Sequence, residues 1–221
     1  MHESIIELNH LSYKVADKLI INNATFSIAK GDFVTITGPS GSGKSTLLKI
    51  IASMLSQTSG EINYKGKKIE EYDPIAYRKE VSYCFQTAVL FGKTVQDNLA
   101  FPYEIRQEAF NHEKASRYLT KVGLNETYLT KNINDLSGGE KQRVALIRNV
   151  LFLPEVLLLD EVTSALDEEN KQAIGRFVQE MNREKQVTVL WVTHNVSEVT
   201  ESDRVIKIVN GEVEEKDGLE N

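Results

Sequence analysis

The nine residues "GPSGSGKST", Gly38–Thr46, decide the fold. Gly38, Pro39, Ser40, Gly41, Ser42, Gly43, Lys44 and Ser45 satisfy the pattern of a glycine, four residues, then Gly-Lys-Ser, and Thr46 follows directly. The stretch before them, "DFVTITG", is a short run of branched and apolar residues and reads as a buried strand ending at Gly38. After them Leu47, Leu48, Ile51, Met54 and Leu55 recur at three- and four-residue steps and predict a helix. Gly38, Gly41 and Gly43 let the backbone wrap tightly and turn its N–H groups inward. The helix start adds unpaired N–H groups and the positive end of its dipole. Strand, glycine loop and helix in this order form a phosphate cradle. In it Lys44 reaches the β- and γ-phosphates and the Ser45 hydroxyl is placed to ligate magnesium. The loop alone does not choose among kinases, GTPases and ATPases.

Working outward, "EVLLLDE" is a continuous apolar run entered after Pro154, as expected of a strand buried on both faces of a parallel sheet. Its end puts Asp160 at the carboxyl edge of the sheet, beside the phosphate loop, where it would hold magnesium through water. Glu161 follows and is free to act as a base on an attacking water. No Asn-Lys-x-Asp segment is present to read guanine, which argues against a GTPase. "VTVLWVTH" is a second buried strand, and strands alternating with helices argue for an α/β core.

The first thirty residues are β-rich, with "SIIEL" and "ATFSIAKGD" as short strands, and "SGEINYKGKKI" resumes strand and turn. "EVSYCFQ" reads as a strand running into Gln86, and "RVIKIVNGEVEE" as a hairpin about Asn210-Gly211. From Thr87 to about Leu153 the reading is mainly helical. Ala115, Tyr118, Leu119 and Val122 make one apolar face closed by Gly123; Val144, Ile147 and Leu151 make another. The expected organisation is a single domain over 1–221. Residues 1–86 and 154–221 form the core with its β region, and about 87–153 form an inserted helical subdomain. The acidic tail after Glu212 reads as low in order.

Composition sets limits. The chain has 221 residues, 41% hydrophobic and 26% charged, which is ordinary for a globular protein. A net charge of −6 does not advertise nucleic-acid binding. No apolar run approaches membrane-spanning length, and the start lacks the pattern of a secretory signal. The single cysteine, Cys84, excludes an internal disulfide and reads as a small buried hydrophobe in a reducing compartment.

A second anion cradle stands about a hundred residues on, in "DLSGGEKQR", Asp135–Arg143. Ser137 and Glu140 are spaced as a capping box for the helix that follows. A cap does not require Gly138 and Gly139, each of which would cost about 1 kcal/mol inside a helix. Close approach of a phosphate would explain them.

"LSGGEKQR" resembles the signature motif of ABC ATPases, and the other elements of that family follow in order over nearly the whole chain. The resemblance implies a P-loop NTPase fold with a RecA-like α/β core, an antiparallel β region and an inserted helical subdomain. It implies hydrolysis of ATP to ADP and phosphate with Mg2+. Tyr13 stands where these proteins stack an aromatic on adenine. Gln86 matches the glutamine that contacts magnesium and links to the membrane subunit. "SALD", Ser164–Asp167, matches a loop in which Asp167 approaches nucleotide, and His194 matches the histidine that contacts the γ-phosphate. Taken singly each has a structural reading, such as Asp167 capping the next helix. By the same resemblance two copies close head to tail on two ATP molecules, so that Ser137, Gly138 and Gly139 serve the partner's γ-phosphate. A separate transmembrane permease is then required, and the chain works in the cytoplasm against the inner face of the membrane.

"VSYCFQTAVLFGKTVQDNLAFPYEIR", "LTKNINDLSGGEKQRVALIRN" and "EVTSALDEENK" are further similar to the ATP-binding subunits of bacterial iron-export ABC transporters. Asn149, where family members often carry alanine, is shared with that subgroup. The alternative is a soluble ABC ATPase of nucleic-acid or ribosome processes. Those proteins usually carry coiled coils or paired cassettes. Only 50 positions separate Gln86 from Leu136, too few for a long coiled coil. A small-molecule P-loop kinase leaves "LSGGE" unexplained.

Overall fold

The computed structural model describes residues 3–216 apart from 165 and 201. Two sheets form its frame. The smaller is antiparallel, in the order β2-β1-β4-β5, from β1 (Ser4–Val15), β2 (Lys18–Ala29), β4 (Ser59–Tyr64) and β5 (Lys67–Lys68). The larger has six strands in the order β10-β9-β3-β8-β7-β6. They are β3 (Phe33–Thr37), β6 (Val81–Cys84), β7 (Val156–Asp160), β8 (Thr188–Val192), β9 (Arg204–Val209) and β10 (Glu212–Lys216). All but β10 run parallel, and β10 returns on β9 as a hairpin. Asn210 and Gly211 both have positive φ, as that two-residue turn requires. The expected acidic tail is a strand as far as Lys216; residues 217–221 lie outside the described residues.

The apolar runs are unbroken because both faces of the large sheet are covered. Val34, Ile36, Leu158, Leu190 and Val192 point to one side, where Leu47, Leu48, Ile50 and Ile51 of α1 (Lys44–Ile51) and the smaller sheet complete the core. Phe33, Leu157, Leu159, Val189 and Trp191 point to the other, with Phe33 and Trp191 stacked 6.1 Å apart. That second core is continuous with α3 (Val95–Glu104), α4 (His112–Lys121), α5 (Gly138–Val150) and α6 (Glu168–Arg183). Two short helices complete the set: α2 (Pro74–Glu80), which Asp73 caps ahead of a proline at its first position, and α7 (Val196–Thr200).

Several local expectations are revised. The N-terminal strands are twelve residues each, longer than read, because bulges at left-handed residues such as His10 and Asn23 carry them through polar interruptions. Helix α1 stops at Ile51, so Met54 lies beyond it and is exposed. Strand β6 stops at Cys84, two residues short of Gln86.

Candidate functional site

Four parallel strands end at one edge of the sheet, and each hands the chain to a candidate residue there. The phosphate loop follows β3, Gln86 follows β6, Glu161 follows β7 and His194 follows β8. Register brings Asp160 level with Val192, and Val192 level with Ile36. An open α/β sheet gathers its ligand site at this edge.

The loop is shaped by the chain around it. Gly38 has φ 137°, and a Cβ there would lie 2.0 Å from the Ile208 carbonyl oxygen; Gly43 has φ 108°, and a Cβ would meet Ile21 and the Ile20 carbonyl. No larger residue fits either position. Gly43 is also the N-terminal boundary of α1 and supplies no side-chain cap, so the helix start keeps its N–H groups for a ligand. Pro39, Ser40 and Gly41 are exposed on the outside of the loop, whereas Ser45 and Thr46 are half-buried in the first turn of α1. The Ser42 hydroxyl is buried without a hydrogen-bond partner. Lys44 is 5% exposed and donates to the carbonyl oxygens of Gly38 and Pro39, both at 2.9 Å. Burial lowers its proton affinity, and the carboxylates of Glu161 and Asp160 partly offset this.

The acids are held by separate partners. Ser45 donates to Oδ1 of Asp160 at 2.7 Å, and the Tyr83 hydroxyl donates to Oδ2 at 2.6 Å. Glu161 sits at φ 49°, a conformation sparsely populated by side-chain-bearing residues, and its N–H is fixed on the Val192 carbonyl at 3.0 Å. Its side chain accepts from Gln86 Nε2 at 2.7 Å and lies 3.3 Å from His194 Nε2. A cleft of about 490 Å³ opens beside this pair, lined also by Thr163, Ser164, Lys171 and Asn195. The Ser45 hydroxyl, the Asp160 carboxylate and the Gln86 amide oxygen are all hard oxygen donors and too few to fill a coordination sphere. That donor set fits magnesium, which keeps most of its places for water and phosphate.

The remaining candidates lie around this centre. Tyr13 is half-buried against the first core and pairs with Ile21, the residue that abuts Gly43. Asp167 caps α6, accepting from the Asn170 N–H at 2.9 Å. Ser137 and Glu140 form the expected capping box on α5, with bonds of 2.7 and 3.2 Å. Burial would raise the Glu140 carboxyl, but hydrogen bonds from Tyr128, the Ser137 N–H and Lys131 outweigh it and hold it down at about 2. No hydrogen bond or ion pair joins Ser137, Gly138 or Gly139 to the phosphate loop among the described residues. Gly139 faces its own chain, for a Cβ there would lie 2.7 Å from the Leu166 side chain; at Gly138 it would meet nothing within 4 Å.

Sequence reasoning missed Tyr83, a strand residue whose hydroxyl has no local signal, and Gln142, whose amide reaches from α5 to the Phe85 carbonyl at 2.8 Å.

Residues 21–164 match the family described as "ABC transporter". The chain is 48% identical over 204 residues to "Probable iron export ATP-binding protein FetA" of Escherichia coli (strain K12), covering 92% of this chain and 91% of that protein. It is 36% identical over 217 residues to "Spermidine/putrescine import ATP-binding protein PotA" of Bacteroides thetaiotaomicron, covering 96% of this chain but only 46% of that protein. The fold superposes with a TM-score of 0.86 on an ATP-binding cassette solved as a dimer in a post-hydrolysis state bound to ADP and phosphate. Identity to that cassette is 30%, over 98% of this chain and 99% of the other.

Proposed function

The chain belongs to the ABC transporter family, and on that premise we propose that it is the ATP-hydrolysing subunit of a transporter whose pathway lies in a separate membrane protein. The observation that carries the reading is the convergence of Lys44, Ser45, Gln86, Asp160, Glu161 and His194 at one sheet edge. Lys44 exchanges its two carbonyl partners for phosphate oxygens. Ser45, Asp160 and Gln86 would hold the magnesium, which would neutralise phosphate charge when bound. Glu161 takes the proton of the attacking water, and Gln86 and His194 fix the direction of its carboxylate. Tyr13 offers its ring to the adenine.

Two copies pair head to tail, and the Ser137–Gly139 helix start faces the partner's γ-phosphate. Asp167, besides capping α6, lies at the same interface. The membrane subunit docks beside β6. Two adjoining clefts of about 140 and 380 Å³ share Arg78, Ser82 and Asn149 there, with Phe85 and Phe101 on their walls. Phe91 and Phe101 are exposed and in edge-to-face contact, whereas Leu99 and Tyr103 are buried in the second core and serve the fold. Arg78, Lys79, Arg106 and Arg148 line the smaller cleft without an ion pair among the described residues, which favours an apolar segment bearing acids. No helix among the described residues is long and apolar enough to cross a membrane. As the ATPase subunit of a transporter the chain is assigned to the cytoplasmic face, held there by its permease. Export of a metal ion, iron by analogy, is supported by the relative that matches nearly end to end, and the importer is covered only by about half.

The test is Glu161→Gln. ATP binding is retained, turnover falls by about 10²–10⁴-fold, and ATP traps a dimer. Near-normal hydrolysis removes Glu161 from the role of base.

A further inference from the structure

Strand β6 flanks β7 on the side away from β3 and the phosphate loop. From that side Tyr83 reaches across to Asp160. Its ring packs edge-to-face on Phe85 at 4.8 Å, its residue is 8% exposed, and its hydroxyl gives its hydrogen bond to Asp160 Oδ2. Asp160 is 3% exposed. Its two oxygens are thus shared out, Oδ2 to Tyr83 and Oδ1 to Ser45. A carboxylate turns readily about its last torsion, and a buried one needs donors on both oxygens. Pinning Oδ2 fixes the plane of the group and leaves Oδ1 turned toward the Ser45 side.

We propose that Tyr83 is a positioning residue that holds Asp160 in the orientation needed to bind magnesium. The inference rests on the reading that Ser45 and Asp160 hold that ion. Groups that hydrogen-bond a metal ligand from behind are worth about 10–100-fold in metal affinity. A residue that merely filled space beside β7 would change stability and leave the metal dependence alone.

The experiment measures binding of a fluorescent ATP analogue by the full chain as a function of Mg2+ concentration. The wild type is compared with Tyr83→Phe, Asp160→Asn, Ser45→Ala and the Tyr83→Phe/Asp160→Asn double variant. Tyr83→Phe is expected to raise the Mg2+ concentration at half-effect by about 10-fold. Metal-free nucleotide binding stays unchanged, and the thermal midpoint without Mg2+ falls by only the few degrees expected of one lost buried hydrogen bond. In the Asp160→Asn background the second substitution adds nothing, since its route is gone. An unchanged Mg2+ dependence, a further loss in that background, or loss of the fold in Tyr83→Phe overturns the inference. If Ser45→Ala and Asp160→Asn also leave the Mg2+ dependence untouched, the metal-site reading fails as well, and the two failures are told apart.

Discussion

Mixing two disabled chains tests whether the two anion cradles meet across a dimer. The first chain carries Lys44→Ala. Lys44 is nearly buried and held at 2.9 Å by two carbonyls, so its loss empties the phosphate loop of its only side-chain cation and removes the side-chain donor from the Gly38 carbonyl, while that of Pro39 keeps the Ser42 N–H. The second carries Gly138→Asp. That position lies in α5 with no neighbour within 4 Å, so an aspartate is accommodated without strain, whereas at Gly139 it would have to push the Leu166 side chain aside. The new carboxylate lies at the mouth of the helix. Two like charges about 4 Å apart repel by about 1 kcal/mol in water and about 4 kcal/mol in a partly desolvated site. The expected loss of ATP-driven pairing is therefore about 5-fold to 10³-fold. Each variant alone has two damaged sites. In a mixed head-to-tail dimer one site collects both defects and the other none. Random pairing of equal amounts gives about half mixed dimers with one good site in two, so recovery reaches at most about a quarter of wild-type activity. Steady-state ATPase across mixing ratios, with differential tags to confirm mixed dimers, makes the measurement. A confirmed mixed dimer with neither turnover nor one ATP held between its subunits would refute a shared site and leave "LSGGE" as a helix cap.

Two further outcomes follow from single groups. Burial pushes the Cys84 thiol up to about 12, so the native chain should resist alkylation at pH 8 and react only on unfolding; rapid native labelling would contradict that burial. The Glu140 carboxyl sits at about 2, below its ordinary 4.5, so its contribution to stability is whole above about pH 4.5 and is lost as pH falls toward 2. Glu140→Gln keeps the capping box but should flatten the dependence of the melting temperature on pH across that window, and an unaltered slope would show that the bonds from Tyr128 and Lys131 do not stabilise the charged form.

What could be read from the sequence was what is local. Phosphate loop, apolar strand ending in Asp160-Glu161, capping box at Ser137 and Asn210-Gly211 turn each depend on neighbours a few residues away, and each is where the pattern puts it. Contacts between strands were silent. Nothing near Tyr83 announces a partner 77 positions on, and nothing in "LFGKTVQDNLAFPY" tells that Leu99 and Tyr103 turn inward while Phe91 and Phe101 turn out. The glycines show the difference most sharply. Gly38 and Gly138 are the same letter in two anion-binding patterns. At Gly38 the fold itself forbids a side chain, because the Ile208 carbonyl occupies the place. At Gly138 neither backbone conformation nor packing among the described residues calls for glycine, and the helix is weaker for having it. A cost in stability without a return inside the chain points outside it. The phosphate loop is shaped by its own chain, whereas the glycine that opens α5 finds a use only in the proposed pairing with a second copy.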